Sequence, residues 1–214
     1  VNDTATYWSL FGQGVILLLI QIGGMGIITI AIAIAVVSGR KIGLMQRSTM
    51  QEAISAPTVG GIVRRTQFII RTTILIEIIG AALLAPVFCR DFGFWKGIWY
   101  SLFHSISAFC NAGFDLMGYE EAYASLVSFE GDVLVNMVVM FLILTGGIGF
   151  IVWDDLMRNK WHFKKYLLHT KIVLTFTIGL TVIATIVFLV LENHGVLAGL
   201  TPVEKALGAA FCSV

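Results

Sequence analysis

The sequence predicts an all-α, polytopic membrane protein built from repeated span–pore loop–span units. Three observations carry that reading. Of 214 residues, 57% are hydrophobic and 13% charged, with mean hydropathy +0.90, whereas soluble domains are about a quarter charged. Several apolar runs have bilayer length, and one between them is too short to cross. The basic residues collect in alternate loops.

The first apolar run, 7–37, is uncharged and at about 30 residues can span with tilt. It carries Gln21 and the glycines Gly23, Gly24 and Gly26, which let another backbone approach closely. A polar linker follows over 38–65, with Arg40, Lys41, Arg47, Arg64 and Arg65 against one acid, Glu52. Within it, 44–56 reads as a short surface helix that Pro57 interrupts. The second span, 67–88, is entered through Arg71 and contains Glu77. An uncompensated carboxylate there costs several kcal/mol, so Glu77 needs a polar partner, either beside a conduction path or on a neighbouring helix.

After a loop at 89–94 comes 95–115, WKGIWYSLFHSISAFCNAGFD. Ile98, Leu102, Ile106 and Phe109 fall on one helical face. Residues 96–109 reach roughly 21 Å, short of a bilayer core of about 30 Å. The segment ends in Cys110-Asn111-Ala112-Gly113-Phe114-Asp115, where a glycine favours unusual backbone. It reads as a re-entrant loop whose carbonyls could line a water-filled path. His104 reads as a satisfied core histidine in preference to a pH sensor, and Asp115 as a carboxylate at the mouth or in a solvated loop. An acidic loop (118–132), a third span (133–153), a basic loop (154–171) and a fourth span (172–191) follow. Thr201-Pro202-Val203-Glu204 then has the form of a helix cap. Cys89, Cys110 and Cys212 have no metal-binding or redox spacing and read as small apolar residues.

Eleven of the fourteen Lys and Arg lie in 38–71 and 154–171, while nine of the thirteen acids lie in 1–6, 89–132 and 192–214. The basic loops are therefore cytoplasmic. The re-entrant loop then enters from outside, where its acidic surroundings raise the local cation concentration.

The chain also repeats. FGQGVILLLIQIGGMGIITI (11–30) aligns without gaps to LVNMVVMFLILTGGIGFIVW (134–153), placing Gly23, Gly24 and Gly26 on Gly146, Gly147 and Gly149. A weaker echo relates KGIWYSLFHS from Lys96 to KALGAAFCSV from Lys205. These glycines sit in bilayer-length apolar runs, so close helix packing is preferred to a phosphate fingerprint, which needs a strand-to-helix context. The expected organisation is the end of one unit (1–37), a linker (38–65), one complete unit (66–154), and a cytoplasmic loop with the start of a third unit (155–214). Such a chain reads as an internal piece of a longer polypeptide.

YWSLFGQGVILLLIQIGGMGIITIA and SLFHSISAFCNAGFDLMG resemble the Trk/Ktr/HKT superfamily of potassium transporters, in particular Ktr-type membrane subunits. The resemblance covers essentially the whole chain. It implies four span–pore–span units arranged with the pseudo-fourfold symmetry of a potassium channel, and Asn111, Ala112, Gly113 and Phe114 as the second filter. The carbonyls of Asn111 and Ala112 would ligate potassium, with sodium as the alternative ion. It further implies a multi-pass protein of the bacterial plasma membrane, a homodimer, and a cytoplasmic regulatory ring that binds nucleotide. Arg40, Lys41, Arg47, Arg64 and Arg65 would face that ring or anionic lipid headgroups, and nucleotide would act only through the partner. The other three filters and the family's gating loop lie outside this chain.

No nucleophile–base pair, metal-ligand cluster or cofactor box stands out, so neither an enzyme, a bound cofactor nor a nucleic-acid partner is expected. Other readings are a sodium-selective or sodium/potassium-coupled transporter, an anion or solute transporter, which would want basic residues at the outer mouth, and a non-conducting scaffold.

Overall fold

The computed structural model describes residues 2–26, 62–119, 123–160, 162–193 and 195–214, with backbone only at 62–65. Eight α-helices are numbered here in chain order among the described residues: α1 (Thr4–Tyr7), α2 (Leu10–Met25), α3 (Ile62–Phe92), α4 (Phe94–Phe109), α5 (Val133–Gly147), α6 (Phe150–Asn159), α7 (Leu168–Leu191) and α8 (Pro202–Ser213). No strand occurs among the described residues.

Two helical stretches, Thr66–Phe92 and Leu168–Leu191, are long and apolar enough to cross a bilayer. The loop expected at 89–94 is absent. α3 continues to Phe92, and the chain reverses at Gly93 alone, whose φ is +80°. A left-handed residue without a Cβ makes that reversal possible in one step. Helix α4 then packs along α3, with Gly97 tight against the α3 backbone. A Cβ there would lie 2.7 Å from the carbonyl carbon of Phe88.

α2 and α5 flank α4, and α5 also meets α3. The core joins Leu84, Phe88, Phe103, Leu116, Val135 and Leu142, with Phe88 edge-on to His104 and Phe129 at ring separations of 5.3 and 5.2 Å. α8 packs back on α7 much as α4 packs on α3. Its start has the expected form: Thr201 Oγ1 accepts the Glu204 N–H, and Glu204 accepts the Thr201 N–H at 2.8 Å. The Thr201 N–H and hydroxyl hold the Glu204 carboxyl below its usual range. On the same side of the sequence pattern, Asp3 caps α1 and also accepts the Tyr123 N–H at 3.1 Å. Burial pushes the Asp3 carboxyl up, but the N–H groups of Tyr123, Thr6 and Ala5 outweigh it and keep the group low.

A second expectation is corrected. The third span is not one helix over 133–153: α5 and α6 meet at a 97° bend. Gly149, at φ +85°, starts α6, and Trp153 Nε1–H donates to the Thr145 carbonyl at 2.9 Å across the break, satisfying a group the lost helical turn would orphan. The repeat-related Gly26 likewise follows the end of α2 with φ +80°. On α4 the expected apolar face is divided: Ile98 is 42% exposed and Leu102 and Ile106 are half-buried, whereas Phe109 is buried, and Ser101, His104, Ser105 and Ser107 are buried together with Tyr100 and Phe103. In a bilayer an apolar face needs no protein cover, whereas polar side chains and irregular backbone must be satisfied inside. Residues 27–61, including the expected surface helix at 44–56, lie outside the described residues.

Gly97→Ala should lower the detergent melting temperature of the full-length protein, because overpacking costs about 1–3 kcal/mol. Gly14→Ala, where nothing lies within 4 Å of the added Cβ, should not. A thermal melt of the two variants side by side checks this.

Candidate functional site

The segment that leaves α4 is built by short-range bonds. Cys110 N–H donates to the Ile106 carbonyl at 2.9 Å, Asn111 N–H to Ala108 at 3.1 Å, and Ala112 N–H to Ser107 at 2.9 Å. Asn111 (φ +54°) and Gly113 (φ +71°) are both left-handed. Asn is among the few residues with a Cβ that tolerate this region. A Cβ on Gly113 would meet nothing within 4 Å, so the glycine is required by its φ and not by space.

Past the turn the chain runs back along α4, tied to it by two side chains one turn apart. Ser107 Oγ donates to the Phe114 carbonyl at 2.6 Å. The Leu116 N–H donates to His104 Nε2 at 3.3 Å, and His104 Nδ1 lies 2.7 Å from the Tyr100 carbonyl. With Nε2 accepting, the ring proton belongs on Nδ1, where it donates to Tyr100. His104, 3% exposed, is thus a satisfied core histidine. Asp115 folds back through its Oδ1, which accepts the Met117 N–H at 3.0 Å. These bonds use the Phe114 carbonyl. The carbonyls of Asn111, Ala112 and Gly113 receive no donor among the described residues. Asn111 and Gly113 are exposed and Ala112 half-buried. Cavities of about 260 and 340 Å³ adjoin the segment, both touching Asn111 and Ile143.

Behind this turn the flanking glycines set the spacing. A Cβ on Gly24 would lie 2.6 Å from Cys110 Cβ, and one on Gly146 2.8 Å from the Phe109 carbonyl carbon. These two positions of the repeated glycine pattern pack beside the end of α4; Gly26 and Gly149, as above, end helices. Glu77 has its partner on a neighbouring helix: Gln21 Nε2 donates to both its oxygens, at 2.9 and 3.1 Å.

The four sequence-predicted residues Asn111, Ala112, Gly113 and Phe114 therefore form one continuous exposed turn, although the Phe114 carbonyl is turned toward Ser107. Arg40, Lys41 and Arg47 lie outside the described residues, and Arg64 and Arg65 are described only as backbone within α3. The sequence reading missed Ser107 as a tether. Its signal was a polar stripe, Ser101, His104, Ser105 and Ser107, on an otherwise apolar segment.

A family model described as TrkH, a cation transport protein, matches residues 1–207. The chain belongs to this family of cation transport proteins. It is 44% identical over 216 residues to the Ktr system potassium uptake protein B of Bacillus subtilis, covering 100% of this chain and 47% of that protein. It is 39% identical over 213 residues to the potassium/sodium uptake protein NtpJ of Enterococcus hirae, covering 99% and 46%. To the Ktr system potassium uptake protein B of Vibrio alginolyticus it is 34% identical over 218 residues, covering 100% and 46%. The chain thus spans about half the length of these relatives. As a member of this family it is a membrane protein, in keeping with the apolar helices α3 and α7.

Ser107→Ala removes the donor to Phe114. A lost hydrogen bond of about 1 kcal/mol corresponds to roughly fivefold, so amide hydrogen exchange over 112–117 should accelerate by about that factor. Exchange within α7 should not change.

Proposed function

We propose that this chain contributes one quadrant of a cation pore, and that the full-length polypeptide takes up potassium across the plasma membrane as the ion-translocating subunit of a Ktr-type system. The observation that carries the reading is the run of donor-free carbonyls at Asn111, Ala112 and Gly113, held on a backbone whose shape depends on Asn111, Gly113, Ser107 and His104. Carbonyls that are fixed in place and bonded to nothing else can replace water around a dehydrated cation. Asn111 to Phe114 is then one filter segment, with Asn111 and Ala112 as ligands and Gly113 added to them by the geometry. A ligand set made of backbone dipoles carries no net charge, so the acidic outer loops supply the attraction for cations and disfavour anions.

In this reading 1–37 ends the first unit, 38–65 is a cytoplasmic linker, 66–154 is the second unit, and 155–214 leads into the third. One quadrant cannot enclose an ion, and the others come from further units of the same polypeptide. The basic cytoplasmic side, with Arg40, Lys41, Arg47, Arg64 and Arg65, faces a nucleotide-binding regulatory ring or anionic lipid, and the transporter is a homodimer. Nucleotide enters only through that partner. A second reading, coupled or mixed potassium and sodium transport, is favoured by the name of the Enterococcus relative, a potassium/sodium uptake protein.

Proteoliposomes containing the full-length polypeptide should take up potassium in preference to sodium. Comparable rates for the two ions would favour the second reading, and no flux of either would overturn both. Gly113→Asp should abolish uptake while membrane insertion stays intact, since it places a side chain on a left-handed residue facing the ion path; persistent uptake would remove this segment from the filter.

A further inference from the structure

The geometry points to Glu77 as a positioning residue for the filter segment, acting from inside the bundle through Gln21 and Cys110, a role that rests on the potassium-pore reading above. Glu77 is 4% exposed, and no Lys or Arg forms an ion pair with it among the described residues. Its carboxylate is held by hydrogen bonds alone. Gln21 Nε2 of α2 donates to Oε1 at 2.9 Å and to Oε2 at 3.1 Å. The Cys110 thiol, on the residue just before Asn111, lies 3.9 Å from Oε1. The main-chain carbonyl of Glu77 accepts the Ser105 hydroxyl of α4 at 2.7 Å. One residue of α3 is therefore tied to α2 by its side chain, and to the end of the pore helix by both side chain and backbone.

Three further features fit this role. Gly24, three residues after Gln21, leaves the gap into which Cys110 packs, so a single turn of α2 supplies both the donor for Glu77 and the room for Cys110. Gln21 Oε1 is buried without a donor. The amide is thus oriented by the carboxylate, since turning it would set its oxygen against Glu77. Finally, a carboxylate in a low-dielectric interior binds its donors strongly, and removing it leaves each of them unpaired. Without Glu77 the Cys110 side chain loses its polar partner at the point where the chain enters the left-handed Asn111. The ligating carbonyls begin one residue later.

The test uses the full-length transporter in proteoliposomes and reads the ratio of potassium to sodium uptake, after the unmodified protein has been shown to prefer potassium. Absence of uptake in that first measurement counts against the pore reading, and equal uptake of the two ions favours the mixed potassium and sodium reading; neither result counts against Glu77. Glu77→Ala should lower the ratio at least about tenfold, the scale of one or two buried groups left unpaired. Glu77→Gln should stay within about threefold of the unmodified protein, because the new amide can accept from Gln21 Nε2 and donate to the vacant Gln21 Oε1. Two results overturn the proposal: an unchanged ratio in Glu77→Ala with uptake reduced only in proportion to folded protein, or a ratio in Glu77→Gln as low as in Glu77→Ala. If Glu77→Ala does not assemble, Cys110→Ala decides, since it deletes the link while stranding no charge. A loss of preference of about threefold supports the role, and an unchanged ratio overturns it.

Discussion

Inside a bilayer no water is available to a backbone that leaves the helix, and in the proposed reading this chain leaves it there after Phe109. Every amide and carbonyl from Cys110 to Met117 must find a partner in the protein or face a hydrated path. Much of the structure around α4 follows from that constraint. Ser107 and His104 are directed at the returning chain, where the Phe114 carbonyl and the Leu116 amide would otherwise be orphaned. His104 can serve only with Nδ1 protonated, and the Tyr100 carbonyl holds it in that tautomer. The carbonyls at 111–113 receive no donor among the described residues. In the proposed reading this is a partition: groups bonded inward shape the segment, and the carbonyls at 111–113 are available to an ion.

The same partition explains where glycine is needed. α4 must reach the middle of the bundle with its end wedged between α2 and α5, and the contacts at Gly24, Gly97 and Gly146 leave no room for a methyl group. At Gly97 and Gly146 these contacts bring backbone against backbone, and at Gly24 backbone against the Cys110 side chain; in lipid such close approach takes over the role that burial of large side chains has in water. Gly26 and Gly149 are different. Both carry a positive φ at a helix end, and at Gly149 the bend to α6 is 97°. One short repeated pattern therefore encodes two tasks, close approach and helix termination.

Much of this was legible in the residues. The apolar runs, the short segment between them, the cap at Thr201-Pro202 and the turn at Asn111–Phe114 are written in periodicity, length and local chemistry. The break in the third run was not, because Gly-Gly-Ile-Gly inside an apolar stretch is equally compatible with a continuous, tightly packed helix. The inward residues of α4 were not legible from its apolar periodicity either: Ile98, Leu102 and Ile106 are left partly exposed, while the serines and His104 are buried beside Tyr100, Phe103 and Phe109.

The sequence by itself determined the class of the protein and its membrane character, because these rest on local composition and on spacing along one chain; the repeated units and the filter candidate it offered as expectations, the latter through a family resemblance. Only the tertiary structure decided that the carbonyls at 111–113 receive no donor among the described residues, that Ser107 holds the Phe114 carbonyl and His104 the Leu116 amide, and that Glu77 is bound by Gln21 from 56 residues away. The physical reason is that a hydrogen bond inside a membrane protein is defined by which groups meet once the helices have packed, and no periodicity along a single helix records its partner on another.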